Sequence, residues 1–497
     1  MAQDRSVLPG FDPNAVTLCA DHLVDGVVLP GDGESIAVHR PSDGREIIPV
    51  HSASAGLVDE AIRSAHRAFR TSGWASLAPR NRAAVLLRWA DLIDRDRIHL
   101  ARIEATCSTR PVEDMVNRDL VRAAGALRYF AEWADKIEGT VFATAAGATS
   151  QSRPEPYGVI ASIAPFNFPA INAIWKSAPA LAVGNAVVLK PSEKTPHSAL
   201  AIALLALEAG LPAGLLNVVQ GAAATGAALV RHPLVGKITF TGSSATGARV
   251  MADAAASGPK PLILELGGKS PHLVLDDVRD LDRVAAHVAN GFLANAGQVC
   301  TAGSRLIVPG TLCDALLDRV IRIAGERRAG PTWQPGNTLP PIISEQQAVR
   351  IDRMLAETIA DGAEVVTGGT RDATQNAGAY FLPTILRRVP DTSVGFREEF
   401  FGPVLSVHTY DDEEEGIAMT SHPGYALAAS LHTDDARKAL SIPGRIDAGT
   451  VWVNTHGRQQ EFATPQGGFR GSGFGQEMGR AGVEGFLRNK SVWHDHG

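Results

Sequence analysis

The 497-residue chain has only four cysteines, Cys19, Cys107, Cys300 and Cys313, and no C-x-x-C pair. Thiols so few and so far apart build neither a disulfide framework nor a zinc site, so a reducing compartment, the cytoplasm, is expected. An excess of positive charge is also missing: 47 Lys and Arg against 53 Asp and Glu leave a net charge of −6. There is no basic field for nucleic acid or an anionic membrane surface, and the expected partner is a small molecule. Long apolar runs are absent as well. The stretch from Val159 to Trp175 is cut by Pro165, Asn167 and Pro169, and the one from Ala199 to Leu211 is too short to span a bilayer. The segment Met1 to Pro13 has charges and prolines but no apolar centre, so it does not read as a secretory signal. No internal repeat or long low-complexity tract occurs.

What is present is alternation. From Leu57 to about Ile137 the apolar residues recur at helical spacing, as in Val58-Ala61-Ile62-Ala65-Ala68-Phe69 and Ala83-Leu86-Leu87-Ala90-Ile93. From Tyr157 to Gly268 short apolar runs alternate with helical segments: Val159–Ile163, Ala186–Leu189, Leu215–Val219, Ile238–Phe240 and Leu262–Leu266. Such alternation predicts βαβ units and a parallel sheet, which binds ligands outside the carboxyl ends of its strands. A second α/β block is expected from about Gly268 to Gly444, with strands at Ser304–Val308 and Val404–His408, helices at Leu312–Ala324 and Glu345–Ile359, and a further strand at Val451–Asn454. Two blocks imply two lobes with a cleft between them. The Ala/Gly/Thr/Ser-rich stretch Gly139 to Ser152 fits either a loop or a hairpin arm. The end of the chain, His494-Asp495-His496-Gly497, reads as a mobile terminus, since two close histidines make no metal site without further ligands.

Two residues carry a chemical signal. Cys300 ends the small-residue run Asn295-Ala296-Gly297-Gln298-Val299, and Glu265 follows three aliphatic residues just before Gly267-Gly268. A thiolate attacks an electrophilic carbonyl, and a carboxylate in apolar surroundings can serve as a base for water. A buried inert Cys and a surface Glu at a strand end are the plain alternatives.

Six motifs then stand in register over almost the whole chain: Pro165-Phe166-Asn167-Phe168-Pro169, Leu189-Lys190-Pro191-Ser192-Glu193, Phe240-Thr241-Gly242-Ser243, Glu265-Leu266-Gly267-Gly268-Lys269, Gly297-Gln298-Val299-Cys300 and Glu399-Phe400-Phe401-Gly402-Pro403. In order and separation they resemble the NAD(P)-dependent aldehyde dehydrogenase superfamily. The resemblance implies two Rossmann-like open-sheet α/β domains with a cleft between them and a small β oligomerisation arm. It divides the chain into a discontinuous dinucleotide-binding domain (1–136 and 156–266), a catalytic domain (267–445), an arm and tail (137–155 and 480–497) and a return segment (446–479), and it implies a homodimer or homotetramer.

By the same resemblance Cys300 is the nucleophile, Glu265 the base that sends the thioester to water, and Asn167 the oxyanion donor, with Lys176 and Glu477 relaying protons. Relatives that pass the acyl group to coenzyme A generally lack this base, so the hydrolytic branch is expected; a non-catalytic relative would have lost one of the three residues. The cofactor is expected along Ile163, Ala164, Pro165 and Phe166, on Lys190, Ser192 and Glu193, at Gly221 and Gly226, at Phe240, Gly242 and Ser243, beside Leu266 and Gly267, and on Glu399 and Phe401. The acidic Glu193 accepts from a ribose diol and repels a 2′-phosphate, which favours NAD over NADP. Ala223 departs from the pattern, because relatives often have a second glycine there. No metal is expected. Phe168, Trp175, Val299, Thr301, His456, Arg122 and Arg458 are the substrate-lining candidates. The two arginines either face the tunnel, favouring a polar or semialdehyde-type substrate, or are solvated or paired with Asp119 and Glu461.

Overall fold

The computed structural model describes residues 9–457 and 461–497. Its first sheet has eight strands, in the order Val27–Leu29, His22–Val24, Leu216–Val218, Ala186–Lys190, Val159–Ile163, Val235–Thr241, Leu262–Glu265 and Gly473–Phe474. The five central strands run parallel, and antiparallel strands close both edges. Every residue of Val159–Ile163 and Ala186–Lys190 is buried, because helices cover both faces of a parallel sheet; the continuous apolar runs in the sequence have that cause. The helices Ala55–Thr71 and Pro79–Arg95 follow the expected stripes, the first opened by the Ser54 side chain accepting from the Leu57 N–H.

The second sheet has seven strands: Glu364–Thr367, Thr384–Arg387, Val404–Tyr410, Arg305–Pro309, Pro271–Val274, Ala428–His432 and Thr450–Val453. All neighbours are parallel except the first pair. Sequence periodicity does not reveal Pro271–Val274 and Ala428–His432, since His272, Ser430 and His432 interrupt the apolar pattern while lying fully inside the protein. The short strands before Leu57 also escape it.

The segment around Gly139 to Ser152 is an arm, with Val141–Phe142 and Ala148–Pro156 in one small sheet. The chain end differs from the sequence reading. Leu487–Asp495 is a strand paired with Ala148–Pro156 across nine residues, and the His496 imidazole is hydrogen-bonded to the Thr149 hydroxyl at 2.7 Å. The expectation of a loose tail rested on local composition, whereas the pairing partner lies more than three hundred residues away. Among the described residues no helix is long and apolar enough to cross a membrane, and no group of three or more His, Cys, Asp or Glu could hold a metal ion.

Candidate active site

The carboxyl ends of four parallel strands, at Ile163, Lys190, Thr241 and Glu265, line a cleft of about 1200 Å³. The seven-stranded lobe contributes Val299, Cys300, Thr301, Glu399 and Phe401 to the same space. Asn167, Phe168, Trp175, Arg122, His456 and Glu477 also line it, as do all the expected cofactor residues except Gly221. Lys176 stands behind Glu477. Arg458 lies outside the described residues.

Cys300 is delivered by an unusual reversal of the chain. After the helix Leu281–Leu293, three consecutive residues take left-handed backbone: Asn295 (φ 51°, ψ 36°), Ala296 (φ 53°, ψ 39°) and Gly297 (φ 74°). Asn tolerates that region, while Ala there costs about 1 kcal/mol. Gly297 is required on spatial grounds also, since a Cβ would sit 2.0 Å from the Gly402 carbonyl oxygen. Gln298, fully buried, clamps the loop: its amide donates to the Asn295 and Pro341 carbonyls at 3.0 Å each and accepts from the Ile343 N–H at 2.9 Å.

Glu265 ends its strand almost fully buried and opens on the cleft. The glycines after it allow close approach. A Cβ on Gly268 would lie 2.3 Å from the Cys300 carbonyl oxygen, so the carboxylate's turn is seated on the Cys300 backbone. Asn167 closes the corner, its amide donating to the Gln298 carbonyl at 2.9 Å. The three residues, distant in sequence, line the same cleft.

Behind them Lys176, shielded entirely from solvent, donates to Glu477 at 2.5 Å and to the Thr239 hydroxyl at 3.0 Å. Glu477 reaches the cleft, so the pair links the cleft wall to the sheet beneath.

The opposite end suits a dinucleotide. Ser243 caps the helix Ser244–Ala256, leaving N–H groups of its first turn toward the cleft. A Cβ on Gly242 would strike the Phe240 ring at 2.5 Å, and one on Gly267 would strike the Glu399 carboxylate at 2.6 Å, so both glycines keep the cradle open. Glu399 is half-buried, its Oε1 is shielded and has no hydrogen-bond partner among the described residues, and burial pushes its carboxyl up to about 8. An orphaned acceptor of this kind fits a ribose hydroxyl. Lys190 is held by the Pro191 and Gly221 carbonyls, at 3.0 and 2.5 Å, with Glu193 at 3.8 Å. Burial lowers its ammonium from the ordinary value. The Ala223 departure falls at the start of the helix Ala223–Arg231, and Gly221 just before it has φ 141° with the Thr225 hydroxyl 2.2 Å from where a Cβ would be.

The end of the cleft lined by Arg122 and Trp175 is polar. The Arg122 guanidinium lies 5.0 Å over the Trp175 ring, and Arg110, wholly buried, 4.5 Å over Phe168. The carboxylate of Asp119, offered by the sequence as a partner for Arg122, is engaged by Arg110 at 2.7 Å and Arg118 at 3.3 Å. His456 shares a 2.9 Å hydrogen bond with Ser430, and burial, then the neighbouring His287, lowers it to about 4, leaving a neutral imidazole at the wall.

Several residues at or behind the cleft escape the sequence reading. Arg110, Arg118 and Asn172 line the cleft, and Asn172 had a legible signal, since 168, 171, 172 and 175 share one helical face. Glu104, fully buried and pushed up by burial to about 8, accepts the Ala170 N–H at 2.8 Å and so holds the start of the helix Pro169–Trp175 that follows Asn167. A Glu in an ordinary helical stripe carries no such signal.

Comparison with known proteins shows the family. The model of the aldehyde dehydrogenase family matches residues 28–492. Aminoacetaldehyde dehydrogenase of Pseudomonas aeruginosa is 39% identical over 465 residues, 93% of this chain and 90% of that protein. Betaine aldehyde dehydrogenase of Cereibacter sphaeroides is 38% identical over 475 residues, 95% and 97% respectively. The crystal structure of an indole-3-acetaldehyde dehydrogenase complexed with NAD+ superposes with a TM-score of 0.94 at 36% identity, covering 97% of this chain and 98% of that one. The chain therefore belongs to the aldehyde dehydrogenase family and is an NAD-dependent enzyme that oxidises an aldehyde to its carboxylic acid.

Proposed function

We propose that Cys300, Glu265 and Asn167 carry this oxidation, on a substrate with a polar or carboxylated tail and with NAD preferred to NADP. The observation that supports it most is that the three residues, from three distant segments, line the same cleft, with the Glu265 turn packed on the Cys300 backbone and Asn167 bonded to the Gln298 carbonyl two residues before it. The Cys300 thiolate attacks the aldehyde carbon, and the resulting oxyanion takes a hydrogen bond from the Asn167 amide. NAD, when bound, supplies the hydride acceptor. The carbonyl then re-forms as a thioester on Cys300. Glu265 takes a proton from water, whose oxygen adds to the thioester carbon and expels the thiolate, releasing the acid. Glu477, backed by Lys176, is placed at the cleft wall to pass that proton on.

Tail chemistry follows from the far end of the cleft. Arg122 places a guanidinium there, over the Trp175 ring, and His456 is neutral and hydrogen-bonding. That environment favours a carboxylate or polar tail over the cationic aldehydes named for two of the relatives. Glu193 beside Lys190 sets the cofactor preference, by accepting from a ribose diol and repelling a 2′-phosphate. The arm exposes Val141, Phe142 and Trp493, an apolar surface suited to a second copy of the chain in a homodimer or homotetramer.

NADH formation with a panel of carboxylated, alkyl and cationic aldehydes, with and without coenzyme A, tests the reading. Turnover is expected without the thiol. Cys300→Ala abolishes it, and Glu265→Gln leaves a single-turnover burst without steady turnover; full activity in either variant refutes the assignment. Arg122→Leu is expected to reduce the preference for carboxylated over alkyl aldehydes about 10- to 100-fold, the worth of a charge-assisted hydrogen bond. An unchanged preference sinks the tail assignment.

A further inference from the structure

The left-handed turn before Cys300 places one side chain between the two groups that must meet the two ends of one substrate carbonyl. Asn295 is buried, its Nδ2 donates to the backbone carbonyl of Asn167 at 3.2 Å, and its Oδ1 accepts from the Thr109 hydroxyl at 2.8 Å. The same residue's backbone carbonyl receives the Gln298 N–H at 3.1 Å and the Gln298 side-chain amide at 3.0 Å. The Asn167 amide closes the circuit by donating to the Gln298 carbonyl at 2.9 Å. Asn295 is thus fastened both to the nucleophile loop and to the peptide of Asn167. Thr109, next to Arg110 of the substrate wall, orients it from behind.

Such an arrangement has a geometric consequence. Asn167 lies in a loop between Ile163, where the strand ends, and Pro169, where the helix begins. The loop's own regular structure does not set the distance from the Asn167 amide to Cys300. Two bonds tie Asn167 to the Cys300 loop, one from Asn295 to the Asn167 carbonyl and one from the Asn167 amide to the Gln298 carbonyl, the first using a backbone conformation that an unconstrained chain avoids.

We propose that Asn295 is a positioning residue for the oxyanion site: it holds the Asn167 peptide at a fixed separation from the Cys300 loop, so that the Asn167 amide is aimed where negative charge develops during acylation. The proposal rests on the reading of Asn167 as the oxyanion donor. Asn295 acts through Asn167 and needs no contact with substrate. Its loss slows attack on the aldehyde without weakening cofactor binding or changing the intrinsic reactivity of the thiol.

Stopped-flow NADH formation by the full-length enzyme tests this, alongside iodoacetamide alkylation of Cys300 and titration with NAD. Asn295→Ala is expected to slow the NADH burst about 10- to 100-fold, in the range for misplacing a catalytic group, with the alkylation rate and the NAD affinity within about twofold of the parent. In an Asn167→Ala background the same substitution adds nothing further to the burst rate, because the two act as one unit. Thr109→Val, a gentler change, shows a smaller loss of the same pattern, and Thr109→Ser restores the parent rate. A burst in Asn295→Ala as fast as in the parent overturns the proposal, and so does an alkylation rate that falls in parallel with the burst, which marks a collapsed nucleophile loop. Additive losses in the double variant overturn it as well. If Asn167→Ala alone leaves the burst unchanged, the oxyanion assignment itself is wrong and this inference falls with it.

Discussion

Replacing Glu477 with Gln leaves the Lys176 ammonium, fully shielded from solvent, facing only a neutral amide and the Thr239 hydroxyl. At the observed 2.5 Å the lost attraction amounts to about 7 kcal/mol for an effective dielectric near 20, before any relaxation. Breaking buried pairs by removing one partner costs about 3–5 kcal/mol, because the remaining charge is uncompensated. The expectation is therefore a loss of about 3–5 kcal/mol in urea unfolding monitored by tryptophan fluorescence. The companion variant Lys176→Met/Glu477→Leu removes both charges and is expected to lie within about 1 kcal/mol of the parent, since an apolar pair of similar volume replaces a buried ion pair at little cost. Kinetics separates structure from chemistry in that double variant. A retained NADH burst with slow steady turnover identifies the pair as the route by which protons leave the Glu265 side. A single variant that loses less than about 1 kcal/mol, or a double variant as unstable as the single, refutes the reasoning.

Gly268→Ala places a Cβ 2.3 Å from the Cys300 carbonyl oxygen; relieving that contact displaces the nucleophile by about 1 Å, for which a loss of about 10²-fold in kcat is expected, and parental kcat would refute it. His197, buried with its Nδ1 on the Cys19 carbonyl at 2.9 Å, is lowered by burial to about 4. Its folded value lies below the unfolded one of about 6.5, so no penalty exists above that pH, and stability is lost as the pH falls from 6.5 through 4. Against His197→Asn, which does not titrate, the parent's advantage in urea unfolding should shrink by about 3 kcal/mol between pH 7.5 and 4; a difference independent of pH refutes it. Glu193→Ser removes the charge beside Lys190 and is expected to improve kcat/KM with NADP relative to NAD by about tenfold, the worth of roughly 1.4 kcal/mol of relieved repulsion; an unaltered ratio places the discrimination elsewhere.

The central strands and principal helices could be read directly from the chain, because burial on both faces of a parallel sheet leaves continuous apolar runs and burial on one face of a helix leaves a stripe. The six motifs in register carried the family and the candidate identities of Cys300, Glu265 and Asn167. The strands Pro271–Val274 and Ala428–His432 were not legible. Their histidines and serine lie inside the protein, where one nitrogen of His272 and one of His432 face each other at 3.1 Å, and a one-dimensional pattern does not show a buried polar contact. The tail was misread for a similar reason, since its partner strand is remote in sequence.

What the sequence determined alone is therefore the chemistry available: one thiol, one carboxylate and one amide in segments whose small and apolar neighbours tolerate close packing. Tertiary structure decided how they are held. Asn295 bridges the Asn167 peptide and the Cys300 loop, Arg110 and Arg118 take up Asp119 at the substrate wall, and Gly268 lets the Glu265 turn rest on the nucleophile's backbone. Each of these depends on distances between residues far apart in the chain, set by how two sheets meet across a cleft, and local residue order does not encode such distances.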